Sequence, residues 1–197
     1  MKKKNVSGAI TLVLGGARSG KSTFAEQLAA KRFARPLYLA TAEATDNEMA
    51  ARIRAHRARR GRRWRTVEAP LDVARALRSA PACDGVVLEC LTTWGANVLV
   101  REGEAAFRRR RQALLAALRR ARRPVIVVSN EVGLGIVPEH ALGRRFRDLA
   151  GWLNQDVARL AHEVAFLVAG LPLWLKGPMP ETATRPVSRA RPNPRRP

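Results

Sequence analysis

The sequence predicts an α/β fold: a mostly parallel β-sheet with helices on both faces. Three observations carry this. Short apolar runs alternate with longer helical stretches along the 197 residues, the order that builds a parallel sheet through crossover helices. The first run, residues 9–14, passes directly into Gly15-Gly16-Ala17-Arg18-Ser19-Gly20-Lys21-Ser22. Polar residues close or follow three later runs: Thr41, Glu89 and Asn130-Glu131. Ligands of parallel sheets lie outside the carboxyl ends of the strands, so these positions are expected along one edge.

The octapeptide fits the phosphate-binding pattern of Gly, four residues, Gly, Lys and Ser. Glycines let the backbone curl until several N–H groups face one anion, and they remove side chains that would block its approach. Lys21 can reach the β- and γ-phosphates, and Ser22 can ligate Mg²⁺. The alternative is a plain glycine-rich turn. A strand before the loop and a helix over residues 22–30 favour the phosphate role, because the helix turns its positive end toward the loop.

The remaining elements follow in order. Residues 36–41 read as a second strand. A helix starts near Thr45, taken as its cap with Glu48 three residues on, and carries Met49, Ile53 and His56 along one face. Residues 71–79 read as a helix between Pro70 and Pro81. Residues 86–90 form a third strand ending in Glu89. Two helices follow, residues 91–100 and a long basic one over 104–122 with Phe107, Leu114, Leu115 and Leu118 inside. Residues 124–129 are a fourth strand, and 130–138 a loop. Residues 139–162 form a second long helix, open to interruption near Gly143 or Gly151. Residues 164–169 are a fifth strand and 173–175 a short sixth.

Composition bounds the rest. Apolar residues make up 46% and the formal net charge is +21. The chain reads as one nucleotide-binding domain over residues 9–176, after a basic extension (1–8) and before a Pro- and Arg-rich disordered tail (177–197). The charge raises an alternative, a nucleic-acid-binding P-loop NTPase. Against it stand an aromatic content of 5% and no aromatic–basic recognition module. A general preference for Arg beside Ala explains the charge without a partner. Cys83 and Cys90 show neither a disulfide framework nor metal spacing, which fits a reducing cytoplasm. No signal peptide or membrane span is expected.

Two residues stand out chemically. Glu89 ends a strand where P-loop enzymes place a carboxylate on Mg²⁺, although Asp is commoner there; otherwise it is a solvated strand end. His56 lies on the apolar side of its helix among Arg52, Arg54, Arg57, Arg59 and Arg60. Such guanidiniums favour the neutral, nucleophilic imidazole, and the same arginines can neutralise a triphosphate. A structural histidine is the alternative.

Several stretches share one resemblance: the loop 15–22, residues 46–56, 64–68 and 88–94, the loop 128–139, and the segment 145–151 through to Asn154-Gln155. Together they resemble the bifunctional adenosylcobinamide kinase / adenosylcobinamide-phosphate guanylyltransferase family of cobalamin biosynthesis, over residues 9–176. The resemblance implies a recombinase-like P-loop fold, a homotrimer and two reactions. A nucleoside triphosphate, ATP or GTP, phosphorylates adenosylcobinamide. GTP then guanylylates the phosphate through a GMP–histidine phosphoramidate, giving adenosylcobinamide-GDP and pyrophosphate. His56 matches the nucleotide-carrying histidine. Ala42-Glu43-Ala44, Arg57-Ala58-Arg59-Arg60, Glu68 and Glu89 match nucleotide-contacting positions. Some relatives have a second histidine where this chain has Ala55. Loss of one of the two activities is the other reading the resemblance leaves open.

Overall fold

The computed structural model describes residues 8–44 and 46–177. The readings made on residues 1–7, on Thr45 and on the tail beyond Gly177 lie outside them. The elements run β1 (Ile10–Gly15), α1 (Lys21–Arg32), β2 (Pro36–Ala40), α2 (Asn47–Arg59), β3 (Arg65–Glu68), α3 (Val73–Arg78), β4 (Gly85–Glu89), α4 (Leu91–Arg119), β5 (Val125–Asn130), α5 (Ala141–Leu160), β6 (Glu163–Val168) and β7 (Leu171–Lys176).

The strands form one sheet in the order β3-β2-β4-β5-β1-β6-β7. Neighbours are parallel except β6 and β7. The registers set Gly15 opposite Asn130, and Ala40 between Glu89 and Glu68. The phosphate loop, Glu89 and Asn130 therefore share one edge, as the sequence leads one to expect, and Glu68 of the additional strand joins them.

Alternate strand residues point to opposite faces, and both faces are covered. Leu12, Leu37, Leu39, Leu88 and Val127 pack with Trp94, Phe107, Leu114 and Leu118 of α4 and Leu149 and Leu153 of α5. Val13, Tyr38, Val87, Ile126 and Val128 pack with Ala25, Leu28 and Ala29 of α1 and with Phe33 beyond it. Each fully buried large apolar side chain contributes about 1.5–3 kcal/mol. Gly85 opens β4 because a Cβ there would come within 2.4 Å of the Phe33 ring.

Five details differ from the sequence reading. β3 is an additional strand; it has four residues and one apolar side chain, Val67, too little pattern to read. The two helices over 91–122 run on as α4, broken only at Gly103 (φ 79, ψ 178). α5 is continuous through Gly143 and Gly151, because its buried stripe Leu149, Ala150, Leu153 and Val157 outweighs the ~1 kcal/mol helix cost of a glycine. β7 is longer than residues 173–175 and antiparallel. Asp46 caps α2, its Oδ1 accepting from Met49 N at 2.7 Å; its charge also favours the helix N-terminus, which a threonine hydroxyl cannot match.

Many of the arginines are used within the fold. Arg110 pairs with Glu102, Arg108 and Arg145 with Glu104, and Arg111 and Arg159 with Asp156. These pairs staple the two halves of α4 to each other and to α5.

Candidate active site

The loop after β1 is shaped around an absent side chain. A Cβ on Gly15 would lie 2.4 Å from Ser19 Oγ and 2.8 Å from Leu167 O. Gly20 takes a left-handed conformation (φ 91) as the N-cap of α1. No side chain caps α1, and its first turn holds no acidic residue. Its first N–H groups are thus left for an anion. Lys21 is buried and folds back to donate from Nζ to Gly16 O at 2.9 Å. Ser19 Oγ is buried without a hydrogen-bond partner. Arg18 sits exposed at the tip of the loop.

Polar side chains lash the strand ends around this loop. Thr41 Oγ1 donates to Cys90 O at 2.9 Å and accepts from Cys90 N at 2.7 Å, joining β2 to β4. Asn130 N donates to Thr92 Oγ1 at 2.7 Å, and Asn154 Nδ2 donates to Asn130 O at 3.1 Å.

Glu89 closes β4 beside Ser22, whose hydroxyl donates to its Oε1. Its Oε2 is buried and has no hydrogen-bond partner. Burial pushes the Glu89 carboxyl above its ordinary range, and the Ser22 hydroxyl and His56 act against that. A hydroxyl and an under-satisfied carboxylate are hard oxygen donors that fit Mg²⁺, an ion that takes its other ligands from phosphate and water. Groups of three or more His, Cys, Asp or Glu suited to a metal are absent among the described residues.

α2 lies across from α1. Met49, Ile53 and His56, the face read from the sequence, line a pocket of about 140 Å³ together with Lys21, Ser22 and Glu89. Arg57 and Arg60 line it too, as do Ala42 and Glu68. Arg57 Nη2 donates to Glu68 Oε1 at 2.5 Å. Glu43 is half-buried and pairs with Arg101, and neither it nor Ala44 or Ala58 lines the pocket. Arg59 reaches Glu26.

Sequence reading overlooked Glu26, Tyr38, Thr93 and Cys90 here. The signal for Glu26 is an acidic residue one turn past Ser22 between the apolar positions Ala25, Leu28 and Ala29. Tyr38 carried no signal beyond a strand position, and burial pushes its hydroxyl pKa up. Burial likewise raises the Cys90 thiol, whose sulfur takes the N-cap position of α4. His162 is structural: Ile10 N donates to its Nδ1 at 3.1 Å, and its own N donates to Ile10 O at 2.8 Å.

Among the described residues no helix is long and apolar enough to cross a membrane. A parallel sheet, a glycine loop leading into an uncapped helix, and a strand-end carboxylate beside the loop's serine define a P-loop nucleotide-binding enzyme. The sequence pattern of cobinamide kinase / cobinamide phosphate guanyltransferase matches residues 11–175, and the chain belongs to that family. It is 50% identical over 167 residues to the bifunctional adenosylcobalamin biosynthesis protein CobP of Pseudomonas aeruginosa, covering 84% of this chain and 96% of that one. It is 42% and 43% identical to the bifunctional adenosylcobalamin biosynthesis proteins CobU of Escherichia coli and Salmonella typhimurium, in each case over 84% of this chain and 98% of the relative. Among solved structures, a KaiC-like protein of Pyrococcus horikoshii is similar with a TM-score of 0.48 and 16% identity, covering 81% of this chain and 71% of that one.

Proposed function

We propose that this chain performs both reactions of its family at one nucleotide seat. It phosphorylates adenosylcobinamide from ATP or GTP. It then transfers GMP from GTP to adenosylcobinamide phosphate through His56, releasing pyrophosphate. The observation that carries the reading is that His56 lines the same pocket as Lys21, Ser22 and Glu89.

The roles follow from the chemistry. The N–H groups of the loop and Lys21 cradle the phosphates. Ser22 and Glu89 would hold Mg²⁺, which neutralises phosphate charge when bound. Arg57 and Arg60 add positive charge on the opposite wall of the pocket. For phosphoryl transfer these groups position the triphosphate and stabilise charge. For guanylyl transfer an imidazole nitrogen of His56 attacks the α-phosphorus while the cradle holds the leaving pyrophosphate. The acceptor phosphate then displaces His56.

Self-association as a homotrimer belongs to the same proposal. Leu171, Leu173 and Leu175 stand exposed along the edge strand β7, an apolar row of the kind that interfaces bury. Light scattering in solution tests it.

The test of the chemistry is label transfer. GTP labelled at the α-phosphate should leave label on the protein that is lost in acid and kept in base, as a phosphoramidate requires. GTP labelled at the γ-phosphate should leave none. His56→Asn should take no label. Retention of the α-label by His56→Asn would place the nucleophile elsewhere.

A further inference from the structure

α2 is loosely seated for a helix that carries a nucleophile. None of its described side chains is buried, whereas α1, α3, α4 and α5 each bury a stripe or pair. Apolar packing does little to fix where His56 stands. One carboxylate at the end of the helix does more. Glu26 of α1, 8% exposed, lies 3.4 Å from Arg59 Nε and accepts from Arg60 Nη1 at 3.4 Å. Arg60 is itself buried, with its guanidinium 3.6 Å from the centroid of the Tyr38 ring. The same Glu26 oxygen that faces Arg60 stands 3.8 Å from His56 Nδ1.

A buried carboxylate is costly to desolvate unless it is well paired. Two guanidiniums suffice to pair it, so the imidazole is not needed for that purpose. Glu26 also stands on the phosphate-loop helix, one turn from Ser22. Whatever it holds is thereby held in register with the phosphate cradle.

We propose that Glu26 is the positioning residue of guanylyl transfer: it holds the imidazole with Nδ1 toward its carboxylate, so that Nε2 is the atom that takes GMP. This rests on the reading of His56 as the GMP carrier. The Nε2 lone pair forms the P–N bond as the bond from the α-phosphorus to the bridging oxygen breaks and pyrophosphate leaves. The proton on Nδ1 stays in place, and Glu26 balances the charge that the ring gains. The acceptor phosphate oxygen then forms the new P–O bond, and the electron pair returns to Nε2. Closure from 3.8 Å to hydrogen-bond distance accompanies nucleotide binding, in keeping with catalytic contacts that tighten in the complex. The charged groups that share the pocket or its wall with the imidazole are Glu26 from α1, Glu68 from β3, Glu89 from β4, Lys21 across the pocket, and Arg57 and Arg60 from its own helix and cap; Arg59 reaches Glu26 from outside the pocket.

Two measurements decide it. In full-length wild-type protein carrying ¹⁵N-histidine and loaded with GTP, phosphorus–nitrogen coupling should assign the linkage to Nε2, with Nδ1 protonated. In Glu26→Gln, the rate of α-label uptake should fall at least 10-fold. That fall should exceed any loss in GTP affinity or in kinase kcat/KM by at least threefold, and Glu26→Asp should recover part of the lost rate. A purely structural role would lower affinity and both reactions by the same factor, and that outcome overturns the proposal. Linkage through Nδ1, or wild-type labelling in Glu26→Gln, overturns the proposal while leaving His56 as carrier. Absence of label on wild type during active guanylyl transfer overturns the reading of His56 and the proposal with it.

Discussion

Ser22 and Glu89 meet between the start of α1 and the end of β4. The hydroxyl donates to one carboxylate oxygen and leaves the other buried without a partner. The pair is complete only when something positive shares that second oxygen, and until then the carboxylate destabilises the protein.

A stability prediction follows with a definite sign. Burial raises the carboxyl's folded pKa above its unfolded value. Its contribution is therefore favourable below the ordinary carboxylate range and lost as pH rises through the raised value. At pH 7 and without nucleotide, Glu89→Gln should melt higher than wild type, by about 2–4 °C for each 1 kcal/mol of relief. The difference should shrink as pH falls through the raised value toward the ordinary carboxylate range, and be gone below about 4. With Mg²⁺ and GTP added, only the wild type should gain strongly. Calorimetric scans across pH check this, and a variant that melts lower at pH 7 contradicts it.

Lys21→Ala tests the phosphate cradle. A charged hydrogen bond is worth about 1.5–3 kcal/mol, so GTP affinity should drop roughly 10- to 100-fold by titration calorimetry. The circular dichroism spectrum should stay unchanged, because Lys21 supports the loop rather than the sheet. Affinity equal to wild type would remove Lys21 from the seat.

The two histidines His56 and His162 should separate cleanly. His162→Ala loses the acceptor for Ile10 N, which should cost about 0.5–1.5 kcal/mol in denaturant unfolding. It should still take the α-label at the wild-type rate. His56→Asn should show the reverse pattern.

Gly103→Ala probes the break in α4. The glycine's φ of 79° and ψ of 178° suit glycine almost alone, and an L-residue there costs about 1–3 kcal/mol. The expected result is a lower unfolding midpoint with unchanged GTP affinity, since the break lies away from the pocket.

The sheet was legible because its central strands are buried on both sides and read as unbroken apolar runs. The phosphate loop was legible because its turn restricts which residues fit. His56, with Met49 and Ile53, was legible from helical spacing. β3 was not, since an edge strand of Arg65, Thr66, Val67 and Glu68 needs little apolar pattern. Glu26 was missed for a different reason. Its partners Arg59 and Arg60 lie more than thirty positions away, and only the packing of α2 on α1 brings them together. The reading of arginines around His56 was incomplete on the same account, because a carboxylate stands among them.

The phosphate loop at residues 15–22 has a kinetic consequence. The family's two reactions each consume a nucleoside triphosphate, and in the proposed reading both use this one cradle. After phosphorylation the seat holds a spent diphosphate, which must leave before GTP can enter for the second reaction. The two steps therefore alternate within a molecule rather than overlap. A lingering diphosphate acts as a product inhibitor of guanylylation, and the slowest exchange at that seat sets an upper bound on turnover of the combined sequence.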